Sequence, residues 1–452
     1  VAQVARYDLG QRLRAFERAW DETPDPVSRQ RAVPLLNQAV RSFFSLNEVK
    51  VGESLDRATH LLRSADGASD AQRWADSLTF RPKIRFVDLS VGELQIECRE
   101  LYATGLPKPT GAQVAVRLGS GPEARHDLGD LPFSFRVPVD QTPPGDHVLI
   151  CQVSVAGQVL SDRRCLISLA HQIEQRLETL RAATEMRATA ESIETATLRY
   201  LVRLLSDLRS GQTFETDYPA AVLLEQAEKI LLAITKNERH FQSDRSGEFW
   251  LRVPVGRTTE TVRFYAPKVG AEAARRPIVA ALHGAGASEN MFFDSYGNGI
   301  TLKECQSRGW YLVAPRAGGG FGVGGVPNVL AILEELAKRY PIDLKRVYLV
   351  GHSMGAGHAL TLSQQAADRF AGVAALGGGG MIRKTEAFRQ LPLFVGLGKD
   401  DFLIGAPERF GANLKKAGIP RLEVKIYPNV EHMMIVREAI PDVFRFWTTG
   451  AN

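Results

Sequence analysis

Long apolar runs, metal-ligand clusters and basic blocks are all missing from this chain. No stretch of about 18 apolar residues occurs, so no membrane-spanning helix is expected. There is no H-E-x-x-H and no Cys/His cluster at metal spacing, which predicts no catalytic metal, and no other cofactor is implied. The net charge of +5 is spread along the chain, with no Lys/Arg block interleaved with aromatics, so nucleic acid is not an expected partner. The glycines Gly318, Gly319, Gly320, Gly322, Gly324 and Gly325 lack the lysine of a phosphate-binding loop. The G-x-G-x-x-G spacing of Gly320, Gly322 and Gly325 does not directly follow the apolar run 310–314 in the dinucleotide manner, so a mobile loop beside a site is the better reading. Propeller-type repeats are absent as well.

Cysteine is scarce. Of Cys98, Cys151, Cys165 and Cys305, three fall in one β-rich stretch. Cys98 can pair with Cys151, or all can be buried thiols; spacing does not decide. No leader segment is visible, and the chain begins at Val1 rather than methionine. The compartment is therefore left open, with a secreted or periplasmic one favoured over the cytoplasm. Oligomeric state is equally open.

What is present is ordinary globular usage: 452 residues, 44% hydrophobic and 24% charged, enough for two or three domains. Residues 1–81 read as helices. Leu9, Leu13, Phe16 and Trp20 recur at helical spacing, Thr23-Pro24-Asp25-Pro26 breaks the pattern, and a second stripe runs from Leu35 to Phe44. Residues 82–169 change to short alternating runs at 84–87, 94–98, 113–118, 133–137 and 148–153, punctuated by turns such as Pro143-Pro144-Gly145-Asp146. That spacing suggests an all-β sandwich, and Asp146-His147-Val148-Leu149 resembles the late strand of an immunoglobulin-like module. Residues 170–243 are helical again and are expected to pack with 1–81. In 244–452, strands and helices alternate after a leading hairpin, which predicts a doubly wound, mostly parallel α/β sheet.

The most informative motif in that last segment is Gly351-His352-Ser353-Met354-Gly355. The apolar run 346–350 precedes it and a helix start follows. A serine on a strand-to-helix turn is forced outward, with the next backbone N–H beside its hydroxyl. In hydrolases built this way an acid and then a histidine follow the serine in chain order. Gly398-Lys399-Asp400-Asp401 and Pro428-Asn429-Val430-Glu431-His432 each follow a strand. The ends of parallel strands are where open α/β sheets place their chemistry. His352 is expected to pack beside the serine turn, and His358 to be structural.

Together with Leu282-His283-Gly284-Ala285-Gly286 and Tyr340-Pro341-Ile342-Asp343, these residues make 244–452 resemble an α/β-hydrolase catalytic domain. The likeness is to the serine esterase branch that holds feruloyl esterases and polyhydroxybutyrate depolymerases, which neighbours the prolyl-oligopeptidase-type peptidases. It implies Ser353 as nucleophile and His432 as base. It implies Asp401 as the acid, from a G-x-x-D pattern read from Gly398, with Asp400 as the rival. It further implies an oxyanion hole from the N–H groups of Met354 and Ala285, with Gly286 the alternative to Ala285.

The expected activity is carboxylic ester hydrolysis through an acyl-enzyme. Residues 380–391 leave no room for a large cap, which points to small or polymer-linked esters. The alternatives are a serine peptidase with the same three residues and a catalytically inert binding protein.

Overall fold

A computed structural model describes residues 2–64, 67–185, 192–268, 274–316, 328–382, 385–403 and 405–449. The chain divides into two compact units, Val1–Ala190 with Leu198–Glu238, and Glu191–Thr197 with Arg239–Asn452.

The first unit begins with helices Ala2–Glu22, Pro26–Phe44, Glu48–Arg63 and Asp70–Ser77. Their starts follow from local chemistry. Asp25 accepts from the N–H groups of Val27 and Ser28, with Pro26 at the first helical position. Asn47 caps the third helix, and Ser69 with Gln72 forms a reciprocal capping box on the fourth. Eight strands follow: β1 (Leu78–Pro82), β2 (Phe86–Asp88), β3 (Glu93–Glu100), β4 (Ala112–Leu118), β5 (Ala124–Asp127), β6 (Phe133–Pro138), β7 (Gly145–Val155) and β8 (Gln158–Ala170). They form two sheets, ordered β1-β3-β6 and β2-β8-β7-β4-β5. Alternate residues point inward, as the pleat requires. Leu94, Ile96 and Cys98 of β3 and Leu149, Cys151 and Val153 of β7 enter one cluster, which Tyr7 and Trp74 of the helices complete.

The three cysteines of this region are free and buried, so the Cys98–Cys151 pairing open in the sequence is not formed. They serve as apolar core. Burial pushes the Cys98 and Cys165 thiols up to about 12, far from the reactive thiolate. Helices Ile173–Glu185 and Ala220–Thr235 also belong to this unit.

The helix Ile193–Arg209 is shared out between the units, its first residues going with the second. The division between the units therefore falls inside the segment 170–243. The reason is local. Glu194 Oε1 accepts from the N–H groups of His240 and Phe241 and from Arg339 Nη1, the last at 2.6 Å.

The second unit carries β9 (Gly247–Val255), β10 (Thr258–Ala266), β11 (Arg276–Leu282), β12 (Tyr311–Pro315), β13 (Ile342–His352), β14 (Gly372–Leu376), β15 (Leu393–Gly398) and β16 (Leu422–Tyr427). Their order is β16-β15-β14-β13-β11-β12-β10-β9. β9 and β10 form the expected hairpin, β10 runs antiparallel to β12, and the remaining pairs are parallel. β12, β14 and β15 are buried along their whole length, as strands covered on both faces must be. The chain leaves β11 for β12 on one side and returns through β13 on the other. That reversal opens a crevice at the C-terminal ends of β11 and β13. Among the described residues no helix is long and apolar enough to cross a membrane.

Candidate active site

The crevice is where the serine turn sits. Ser353 follows the last residue of β13, and helix Met354–Gln365 starts at the next residue. Its backbone is at φ 54° and ψ −116°, a region that non-glycine residues rarely occupy. The flanking glycines permit this bend by close approach. A Cβ on Gly351 would lie 2.0 Å from the Gly355 carbonyl oxygen, and one on Gly355 would lie 2.0 Å from that of Leu282. The Ser353 N–H is held by the Leu376 carbonyl at 2.9 Å.

Ser353 Oγ lies 3.0 Å from His432 Nε2, and His432 Nδ1 lies 2.8 Å from Asp401 Oδ2. A carboxylate only accepts, so Nδ1 carries the ring proton and Nε2 is left to accept from the serine hydroxyl. Asp401 is 3% exposed and His432 2% exposed, which keeps water from competing for these bonds. The other oxygen of Asp401 accepts from the Leu403 N–H at 2.8 Å. Asp400 is exposed. The two loops that carry these groups are zipped by backbone bonds, Lys399 N–H to Tyr427 and Asp400 N–H to Val430. A Cβ on Gly398 would lie 2.4 Å from the Val430 oxygen, so glycine is needed where the loops meet.

Glu431 is spent on its own backbone. One carboxylate oxygen accepts from the N–H groups of Met433 and Met434, each at 2.8 Å, and the other is buried with no hydrogen-bond partner among the described residues. Burial raises this carboxyl to about 7.

Met354, as the first residue of its helix, has an N–H outside the helical ladder. Ala285 and Gly286 occupy the middle of a turn closed by the Ala287 N–H on the Gly284 carbonyl, with Gly286 at φ 75°. A Cβ on Gly284 would lie 3.3 Å from Ser353 Cβ, so this turn is seated against the serine. Gly377 and Gly378 also pack on the serine turn: a Cβ on Gly378 would lie 2.5 Å from the Ser353 carbonyl oxygen. The glycine-rich stretch 318–325 lies outside the described residues. His358 is half-buried on the following helix, and burial lowers its basicity.

One neighbour of the site escaped the sequence reading. The Tyr296 hydroxyl reaches His352 Nδ1 at 2.7 Å and takes the Gly284 N–H at 3.2 Å. The only sequence signal was the turn composition of Gly297-Asn298-Gly299 after it.

Residues 304–434 match the family model described as alpha/beta hydrolase fold. Over 146 residues the chain is 31% identical to the bifunctional acetylxylan esterase/xylanase XynS20E of Neocallimastix patriciarum, covering 31% of this chain and 21% of that protein. The chain thus spans about a fifth of the length of that curated relative. A solved ferulic acid esterase is similar at 18% identity and a TM-score of 0.39, covering 47% of this chain and 99% of its own. The S-formylglutathione hydrolase of Staphylococcus aureus is similar at 13% identity and a TM-score of 0.37, covering 45% of this chain and 100% of its own. The sheet order, the strand-turn-helix around Ser353 and the family match agree, and the second unit has the α/β-hydrolase fold.

Proposed function

We propose that this chain is a carboxylic ester hydrolase that works through an acyl-enzyme on Ser353. The observation that carries the reading is the hydrogen-bonded series Ser353–His432–Asp401, its base and acid buried, at the C-terminal ends of parallel strands. A serine hydroxyl is a weak nucleophile until a base takes its proton. His432 Nε2 takes that proton as Ser353 Oγ attacks the ester carbonyl, and Asp401 stabilises the imidazolium that forms. The N–H groups of Met354 and Ala285 hold the developing oxyanion. Collapse expels the alcohol, which leaves with the proton from His432. Water, activated by the same imidazole, then releases the acid.

Small or polymer-linked esters are the proposed substrates. Between β14 and β15 the described residues hold only the short turn Thr385–Phe388, not a helical cap over the serine. The match to part of an acetylxylan esterase supports short acyl groups on a polysaccharide. For the first unit, an immunoglobulin-like sandwich is the reading we favour. Its strand order supports it, β1-β3-β6 and β8-β7-β4-β5 corresponding to A-B-E and G-F-C-C′.

Turnover of a p-nitrophenyl ester series, acetate to long-chain, by the wild type and Ser353→Ala tests the proposal. Hydrolysis of the short esters that disappears in the variant is expected. Equal activity, or equal inactivity, of the two proteins on every ester would refute it.

A further inference from the structure

Residues Tyr296 to Gly299 form a left-handed turn, with φ of 45°, 71°, 53° and 71° in succession, and two of the four are not glycine. The Gly299 N–H closes it on the Ser295 carbonyl at 2.8 Å. Non-glycine residues enter this region singly and seldom, and such strain persists where the surroundings demand it. The two glycines let the turn sit where it does. A Cβ on Gly297 would lie 2.4 Å from Arg437 Cγ, and one on Gly299 would lie 2.2 Å from the Phe293 oxygen.

The turn delivers the Tyr296 hydroxyl to His352, which is 2% exposed. His352 Nε2 lies 2.8 Å from the His432 carbonyl oxygen. That oxygen can only accept, so Nε2 carries the proton, and in the neutral ring that burial favours Nδ1 then accepts from the Tyr296 hydroxyl. The hydroxyl in turn accepts from the Gly284 N–H. A single directed series results: Gly284 N–H to Tyr296, Tyr296 O–H to His352, His352 N–H to the His432 carbonyl. It joins the loop after β11, the serine turn and the loop of the base.

Resting on the ester-hydrolase reading, we propose that Tyr296 and His352 are positioning residues, which fix the His432 backbone and the Gly284 turn relative to Ser353. With the imidazole neutral, each bond of the series has one donor and one acceptor. Neutrality matters here because the rings of His352 and His432 are 4.9 Å apart. A charged His352 would oppose the imidazolium that His432 must become. Burial holds His352 well below the usual histidine range.

The test uses the full chain with p-nitrophenyl acetate, and kcat is expressed per serine titrated to completion with a fluorophosphonate. Tyr296→Phe removes the hydroxyl and with it two bonds of the series, and should lower kcat about tenfold, an effect of hydrogen-bond size. His352→Leu should lower it about 100-fold, as misplacement of a reacting group does. KM should stay within about twofold in both, because neither residue is placed against substrate. His352→Gln, whose amide N–H can reach the His432 carbonyl, should recover about tenfold of the leucine loss. A packing role alone would reduce the titratable fraction and the melting temperature but leave kcat per titrated serine unchanged. That result in Tyr296→Phe overturns the proposal, even if His352→Leu fails to fold. A wild type that neither labels at Ser353 nor turns over any ester overturns the ester-hydrolase reading, and this proposal with it.

Discussion

Asp400 and Asp401 are neighbours in sequence with opposite surroundings, and the contrast can be measured. Asp401 meets the His432 ring, whereas Asp400 is exposed and its N–H is engaged with the base loop. Asp401→Asn should therefore lower kcat by about 10³–10⁴-fold, since an amide no longer favours the productive tautomer. Asp400→Asn should change it by less than about threefold, as ordinary surface changes do. Steady-state kinetics on a short ester checks both, and equal effects would reverse the assignment. The sequence could not separate the two because Gly398-Lys399-Asp400-Asp401 offers two registers; the backbone bonds between the loops select one. Glu431 supplies a pH effect. Its carboxyl rises from an ordinary 4.5 to about 7 in the folded protein through burial. Between these values the folded state keeps a proton that the unfolded chain has released. The stabilisation is complete below pH 4.5 and is lost as pH rises through about 7, by about 3 kcal/mol at most. Glu431→Gln should flatten this part of the stability profile, measured by urea unfolding at pH 4.5, 6 and 7.5. An unchanged slope would show that Glu431 is not its source.

At the scale of elements, what was legible in the sequence is what is local. The serine turn could be read because its strand, its bend and its helix are contiguous, and because both glycines are needed within five positions. The alternation of β3 and β7 was legible for the same reason: each strand states its own inward face. Pairing between distant segments was not. The sequence left open whether Cys98 and Cys151 pair; both are free thiols within the core. Nor does any pattern reveal that Asp56 collects Arg12 Nε at 2.8 Å, the Tyr102 hydroxyl at 2.9 Å and Arg163 Nη2 at 3.2 Å. This buried group ties helices Ala2–Glu22 and Glu48–Arg63 to β8, with Arg12 also bonded to the carbonyls of Asp76 and Leu78. Removing the shared acid takes the ion-pair partner from the buried Arg12 guanidinium, while Arg163 keeps Asp76 at 3.7 Å. Asp56→Ala should cost the first unit about 3–5 kcal/mol, seen as a transition at lower denaturant. A loss below about 1 kcal/mol would place the weight of these contacts on packing instead.

At the scale of the molecule, the division of the chain does not follow the order of its segments. Composition separates helical, β-rich and α/β stretches, but a boundary inside a continuous helix has no compositional mark. Residues Glu191–Thr197 belong with the α/β-hydrolase unit although the rest of their helix does not. Two side chains of the segment, Glu194 and Thr197, account for this. Glu194 and Arg339 form an ion pair at 2.6 Å with both side chains under one-tenth exposed, and Thr197 Oγ1 accepts the Arg252 N–H on β9 at 3.0 Å. A glutamate in an amphipathic helix reads as a solvated face from sequence alone, so nothing signalled that Glu194 is a buried anchor for residues more than forty positions away. Glu194→Ala in the intact chain should leave Arg339 with the longer Glu335 contact at 3.8 Å and strand the N–H groups of His240 and Phe241. Its effect should then appear in the second unit. Hydrogen exchange should quicken in 239–253 and around Arg339, where the bonds are lost, while 198–238 keeps its protection. Faster exchange confined to 198–238, with 239–253 unchanged, would mean that the start of this helix is held by the first unit and that Glu194 does not anchor the hydrolase domain.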